Sequence, residues 1–181
     1  MDDNSFEQLR TWLGLLGHEP KPIPPEFHSA YHEGLFPKCL DCEQPLLESQ
    51  KFYEIQKIIK GKEVIFEYAL CQSCSENLTK QYSQESRQAM ETFFVTHYRG
   101  WSDNFEVCHF CGSARSSTDE YLASAVCQGK EMFFFIIFCQ KCMEDLESRL
   151  SEKTKRVMGD FIENKFPGVP AEFSPVPLLK I

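Results

Sequence analysis

Apolar residues cluster in the same way in two stretches of the chain. Phe52 to Ile59 and Val64 to Leu70 are rich in aromatic and β-branched residues and flank Lys60-Gly61. Tyr121 to Cys127 and Met132 to Phe138 repeat this arrangement around Gln128-Gly129. Such runs on either side of a glycine-containing turn predict one β-hairpin in each half. A helical pattern follows each hairpin, over 72–97 and 140–165, and neither segment contains proline. Leu78, Tyr82, Ala89 and Phe93 keep heptad-like spacing, as do Leu146, Leu150, Val157 and Phe161. Each stripe is expected to pack on the hairpin of its own half, and Pro167-Gly168 stops the second helix.

Alternate residues of a strand face opposite ways, so each hairpin divides into two rows. Val64, Phe66, Tyr68 and Leu70 align with Met132, Phe134, Ile136 and Phe138, apolar in both halves. This row is expected against its own helix. In the other row Ile65, Glu67 and Ala69 become Phe133, Phe135 and Ile137. Glu67 predicts a wet face in the first half. Phe135 predicts a covered one, by the N-terminal segment with Trp12, Leu15 and Leu16, the first half, the tail, or another protein. A homo-oligomer through the 132–138 region is one form such a cover takes.

The two halves are copies. A shift of 69 residues places Cys39/Cys42 on Cys108/Cys111, and a shift of 68 places Cys71/Cys74 on Cys139/Cys142. GKEVIFEYALCQSCSENL from Gly61 aligns with GKEMFFFIIFCQKCMEDL from Gly129. The repeat gives an organisation of 1–36 (a short helix over Asn4–Leu16 and a stiff proline-rich linker), 37–99 and 100–166 (two modules), and 167–181 (an extended proline-rich tail).

The chemistry lies in the cysteines. Eight of the nine form C-x-x-C pairs. Two pairs brought together by a fold supply the four thiolates that zinc prefers. Cys39, Cys42, Cys71 and Cys74 are the candidate ligands of one ion, and Cys108, Cys111, Cys139 and Cys142 those of another. Cys71/Cys74 and Cys139/Cys142 open the helical segments, where free N–H groups favour thiolate. Iron in the same ligand set and redox-active dithiols are the alternatives. Cys127 aligns with Ile59 and is read as an apolar hairpin residue.

A turn-borne pair, a hairpin, then a helix whose first turn carries the last pair resembles the treble-clef class of zinc fingers, over about 60 residues per copy. CHFCG from Cys108 with FCQKC before the last helix is also similar to the zinc domain of ClpX-type unfoldase subunits, although the interval from Cys111 to Cys139 is longer. The resemblance implies an α+β fold of two tandem treble-clef-like modules with two structural zinc ions. It implies no particular activity.

The net charge of −8 disfavours general binding to nucleic acid. No apolar run approaches the ~20 residues of a membrane span, and the acidic start does not resemble a signal peptide; the chain is read as soluble and cytoplasmic. His28 and His32 have i, i+4 spacing beside Glu33 but no H-E-x-x-H, and His109 is read as a surface contact inside a C-x-x-C turn. No nucleotide-binding or nucleophile-elbow motif occurs, so no enzyme is expected. The expectation is a non-catalytic, zinc-stabilised interaction or adaptor protein for a protein partner. The alternatives are a nucleic-acid-binding zinc finger and a thiol- or zinc-based redox responder.

Overall fold

Both hairpins close at a glycine of positive φ, +61° at Gly61 and +56° at Gly129, a conformation that glycine adopts at no steric cost. The computed structural model describes residues 19–169. In order these form β1 (Lys21–Pro22), a 3₁₀ turn (Pro25–Phe27), β2 (Phe52–Lys60), β3 (Glu63–Cys71), α1 (Gln72–Lys80) and α2 (Gln84–His97). The second half follows with a 3₁₀ turn (Arg115–Ser117), β4 (Glu120–Gln128), β5 (Glu131–Cys139), α3 (Gln140–Ser148) and α4 (Glu152–Lys165). The fold is α+β, with the strands predicted from sequence in place to within a few residues. The N-terminal helix predicted over Asn4–Leu16 and most of the tail lie outside the described residues. None of the described helices is long and apolar enough to cross a membrane.

The two hairpins share one antiparallel sheet of order β1-β5-β4-β2-β3. β2 pairs with β4 along its whole length, from Phe52↔Gln128 to Lys60↔Glu120. Gln56 lies opposite Ser124, and these are equivalent positions of the two copies. A pseudo-two-fold axis therefore passes between them. The bulges obey it too, falling between Ile58/Ile59 and between Val126/Cys127.

Each predicted long helix is broken into two. The breaks fall at residues 81–83 and 149–151, where Ser83 and Ser151 start a new helix by accepting from the N–H of Ser86 and Thr154. A serine followed by Glu85 or Glu152 in the first turn is an N-cap signal, and it overrides the unbroken apolar stripe.

The break redirects the chain, which corrects a second expectation. α1 and α3 pack on their own hairpins, whereas the second helices reach across. On α2, the Phe93 ring meets Phe138 of the second hairpin at 5.8 Å and Phe110 at 5.7 Å. On the other side of the axis Phe161 of α4 meets Tyr68 at 5.4 Å, and Phe166 meets Phe66 at 5.3 Å. Because the hairpins are joined edge to edge, their helix-side rows form one apolar surface, and the second helices cross the axis to cover it.

The opposite face is covered by a strap, the described residues before the first C-x-x-C, and around Phe135 also by residues before the second. Within the proline-rich stretch β1 pairs with β5, Lys21 opposite Met132 and Pro22 opposite Glu131. Phe135 is 1% exposed, stacked on Phe105 at 4.0 Å and flanked by Trp101 and Phe27 at 5.7 and 5.9 Å. Its cover is thus intramolecular, as expected; among the described residues it comes from Phe27, Trp101 and Phe105, while Trp12, Leu15 and Leu16 lie outside them. Glu67, expected to be wet, is buried. Its Oε1 accepts from Ser29 Oγ at 2.7 Å and from the Ala30 N–H at 2.8 Å, and Oε2 lies 3.2 Å from Lys57 Nζ. Lys57 stands directly across from Glu67 in the β2–β3 register, so the pair neutralises itself under the strap.

Candidate metal centres

Both first cysteine pairs sit in a reversed turn held by backbone bonds. The Cys39 N–H donates to Gln44 O at 2.9 Å and the Glu43 N–H returns to Cys39 O at 3.0 Å. In the second copy the Cys108 N–H donates to Ser113 O, and the Gly112 N–H to Cys108 O, both at 2.9 Å. The turn needs a left-handed residue, Gly112 at φ +76° in one copy and Glu43 at +61° in the other. Each turn docks on a sheet edge, where the Leu40 N–H donates to Ala69 O and the His109 N–H to Ile137 O at 2.9 Å.

The second pairs are placed by the strand-to-helix junctions. Cys71 and Cys139 end β3 and β5 and serve as the residues preceding α1 and α3, while Cys74 and Cys142 stand in the first helical turns. In each copy the four sulfurs come within 4.8 Å of one another. Cys42 and Cys71 are 3.7 Å apart, Cys111 and Cys139 3.6 Å, and Cys108 and Cys142 4.0 Å. None is a disulfide.

These spacings fit a metal ion. Four sulfurs at ~2.3 Å from a tetrahedral zinc lie ~3.8 Å from each other. The Cys71 N–H points at Cys39 Sγ over 3.3 Å, and the Cys139 N–H at Cys108 Sγ over 3.5 Å. Such donors stabilise a coordinated thiolate. Both groups could hold a metal ion, and their all-sulfur donor sets suit zinc.

The electrostatics of the four thiols would suit a cation. Four neighbouring thiols cannot all ionise by themselves, since like charges disfavour one another. Hydrogen bonds from Cys139 and Cys142 hold the Cys108 thiol far below its ordinary range. Burial pushes Cys39 up, but N–H groups of Cys42, Cys71 and Asp41 outweigh this and leave it lowered. The partners move the other way: the bond to Cys108 pushes Cys139 up to about 11, and burial raises Cys71 and Cys74. A divalent cation removes this conflict.

The crossed helices brace the turns. Lys165 of α4 reaches Asp41 of the first turn at 2.6 Å and holds its carboxyl below the usual range. At the equivalent place Phe110 packs on Phe93 and Phe94 of α2. Arg99 donates to Cys111 O at 3.1 Å, and a Cβ on Gly112 would come within 2.9 Å of its guanidinium. Sequence reasoning missed these braces, whose signal was the mutual alignment of Asp41 with Phe110.

Other candidates stand apart. Cys127 belongs to neither group and is fully buried on β4, opposite Tyr53 and Met132. His28 Nε2 contacts Ile23 O at 3.1 Å, and neither His28 nor His32 joins a metal group among the described residues. His109 is buried rather than at the surface. Its Nδ1 accepts from the Ile137 N–H at 3.0 Å and its Nε2 lies 3.2 Å from Ser102 O, so it is a neutral imidazole whose burial lowers its pKa. In the first copy Leu40 takes its place.

Comparison with family models, with characterised proteins and with solved structures finds no match to this chain. The candidate metal centres therefore rest on the geometry itself.

Proposed function

We infer that each copy is a treble-clef type zinc module, that both zinc ions are structural, and that the protein is a non-catalytic adaptor binding a protein partner. The observation that carries this is the donor set. All four positions of each group are cysteine sulfur, whereas catalytic zinc keeps one position open for water or substrate. The order of turn, hairpin and helix N-terminus around each group supports the treble-clef assignment. The acidic balance, −8 overall, favours a protein over a nucleic acid as partner. Tyr31, 80% exposed on the strap, is an aromatic side chain free to engage one.

Elemental analysis tests the metal, with about two zinc equivalents per chain expected. Crosslinking in the expressing cell tests the partner, followed by reconstitution with the purified captured protein. Saturable binding that is lost on Tyr31→Ala supports the adaptor reading. Binding to nucleic acid that weakens steeply with salt overturns it, and so does a zinc with a coordination position open to water or substrate.

A further inference from the structure

The two cysteine groups share a fold, but the turns that carry their first pairs differ in kind. Leu40, Asp41, Glu43 and Gln44 stand where the second turn has His109, Phe110, Gly112 and Ser113. In the second turn the Phe110 ring is buried among aromatic neighbours. It lies 4.4 Å from Phe138 and 5.3, 5.7 and 6.0 Å from Phe94, Phe93 and Tyr98. His109 ties the turn to β5 through the Ile137 N–H and meets Ser102 O on its other side. Arg99 adds its own N–H to His109 O at 3.0 Å and its guanidinium to Cys111 O. Ser113 Oγ is 3.2 Å from Cys111 Sγ, placed to donate once that sulfur is a metal-bound thiolate.

The first turn is braced by other means. Asp41 makes a half-exposed ion pair with Lys165, a contact worth little beside buried aromatic packing. It also brings a carboxylate to the site. Zinc turns four neutral thiols into a doubly negative complex, and a neighbouring negative charge opposes that. Glu43 holds a left-handed backbone that Gly112 adopts without strain. A closed four-sulfur site gives up its ion only when a ligand swings away, and in each copy two ligands ride on the turn. Opening of the turn is a local unfolding event, so the turn with weaker packing and more strain opens more often. Every difference points the same way.

We propose that the two centres are unequal. The group of Cys39, Cys42, Cys71 and Cys74 yields its zinc to a competing chelating or thiolate-rich acceptor, while that of Cys108, Cys111, Cys139 and Cys142 retains its own. This rests on the reading of both groups as zinc sites. It adds a division between them, one exchangeable ion and one permanent ion in a duplicated protein.

Chelator competition on the zinc-loaded full chain tests this, with pyridylazoresorcinol in excess as the acceptor. Cysteines freed at each time are alkylated and identified by peptide mass spectrometry. Two release phases are expected, at least ~10-fold apart in rate, with Cys42 and Cys74 alkylated in the first and Cys111 and Cys142 in the second. Asp41→Phe combined with Glu43→Gly copies the second turn into the first and should slow the fast phase at least ~10-fold. Glu43→Gly alone, the milder change, should slow it roughly 5-fold. A single phase overturns the inequality of the centres. So does a fast phase that frees the second group first, or a fast rate unmoved by either variant. These results leave two zinc sites standing. Cobalt substitution without the thiolate charge-transfer bands of four-sulfur sites overturns the zinc reading itself, and the proposal falls with it.

Discussion

Ser83 Oγ lies 2.8 Å from Ser151 Oγ, and the two residues are each other's equivalents in the duplicated sequence. They mark where the pseudo-two-fold axis leaves the helix layer, as Gln56 and Ser124 mark where it crosses the sheet. Around them the bonding is reciprocal. The Ser83 N–H donates to Thr154 Oγ1 at 3.0 Å, and the Ser151 N–H to Ser86 Oγ at 2.9 Å. Each helix start is thus capped partly from the other copy. This is the arrangement of a two-fold dimer carried on one chain.

The first prediction follows from those caps. Ser86 and Thr154 are fully buried, so replacing either by valine leaves an N–H of the opposite copy without its acceptor. Thr154→Val and Ser86→Val should each cost about 1–3 kcal/mol in denaturant unfolding. The double variant should deviate from additivity, because the four hydroxyls form one network. Additive losses under 0.5 kcal/mol in total would show that the hydroxyls are not coupled.

The second prediction concerns the metals. Cys74→Ser should leave about one zinc equivalent per chain in elemental analysis. Zinc in such a site supplies ~10 kcal/mol or more of apparent folding energy. Because β2 pairs with β4 throughout and α2 and α4 cross the axis, the damage should not stay in the first copy. Hydrogen exchange should accelerate in β5 as well as β3. Protection in β5 unchanged from wild type would mean that the halves fold independently.

Much of this was legible from the chain. The strands, the turns and both cysteine groups follow from apolar runs, glycines and C-x-x-C spacing, because each is a local signal. What was not legible is what the copies do to each other. Whether hairpins pair edge to edge, and whether Phe93 lands on Phe138 or on its own strands, depends on contacts between distant residues. Glu67 misled for the same reason: one charge in a strand row reads as exposure. Only the register reveals Lys57 opposite it, and only the strap reveals Ser29 and Ala30 above it.

A third prediction uses a difference between the two turns. Glu43 occupies with a side chain the left-handed position that Gly112 fills in the other copy. That conformation costs a non-glycine residue roughly 1–2 kcal/mol. The exposed ion pair of Glu43 with Lys38, at 3.0 Å, returns little of it. Glu43→Gly should therefore stabilise the protein by about 1 kcal/mol with zinc content unchanged. A loss of stability would show that the Lys38 contact outweighs the strain.

The last prediction concerns Glu54, buried on β2. Its Oε2 accepts from Ser75 Oγ of α1 at 3.1 Å, and the phenols of Tyr68 on β3 and Tyr82 are its ionisable neighbours. Burial raises its pKa to about 7, and the Ser75 bond only partly offsets that. Between its ordinary value and about 7 the folded state binds the proton more tightly than the unfolded state. Stability therefore falls as pH rises through that window and levels off above it. The second copy has Leu122 and Met143 at the positions of Glu54 and Ser75, both buried, so the fold itself does not require a carboxyl there. Glu54→Gln keeps the shape and the Ser75 bond without the charge. The variant should be more stable than wild type above neutrality, its advantage growing by roughly 1 kcal/mol from pH 6 to pH 8. Over that range the zinc content of both proteins is to be verified, so that metal loss does not enter the comparison. Parallel stability curves for the two proteins would show that Glu54 does not titrate in this window.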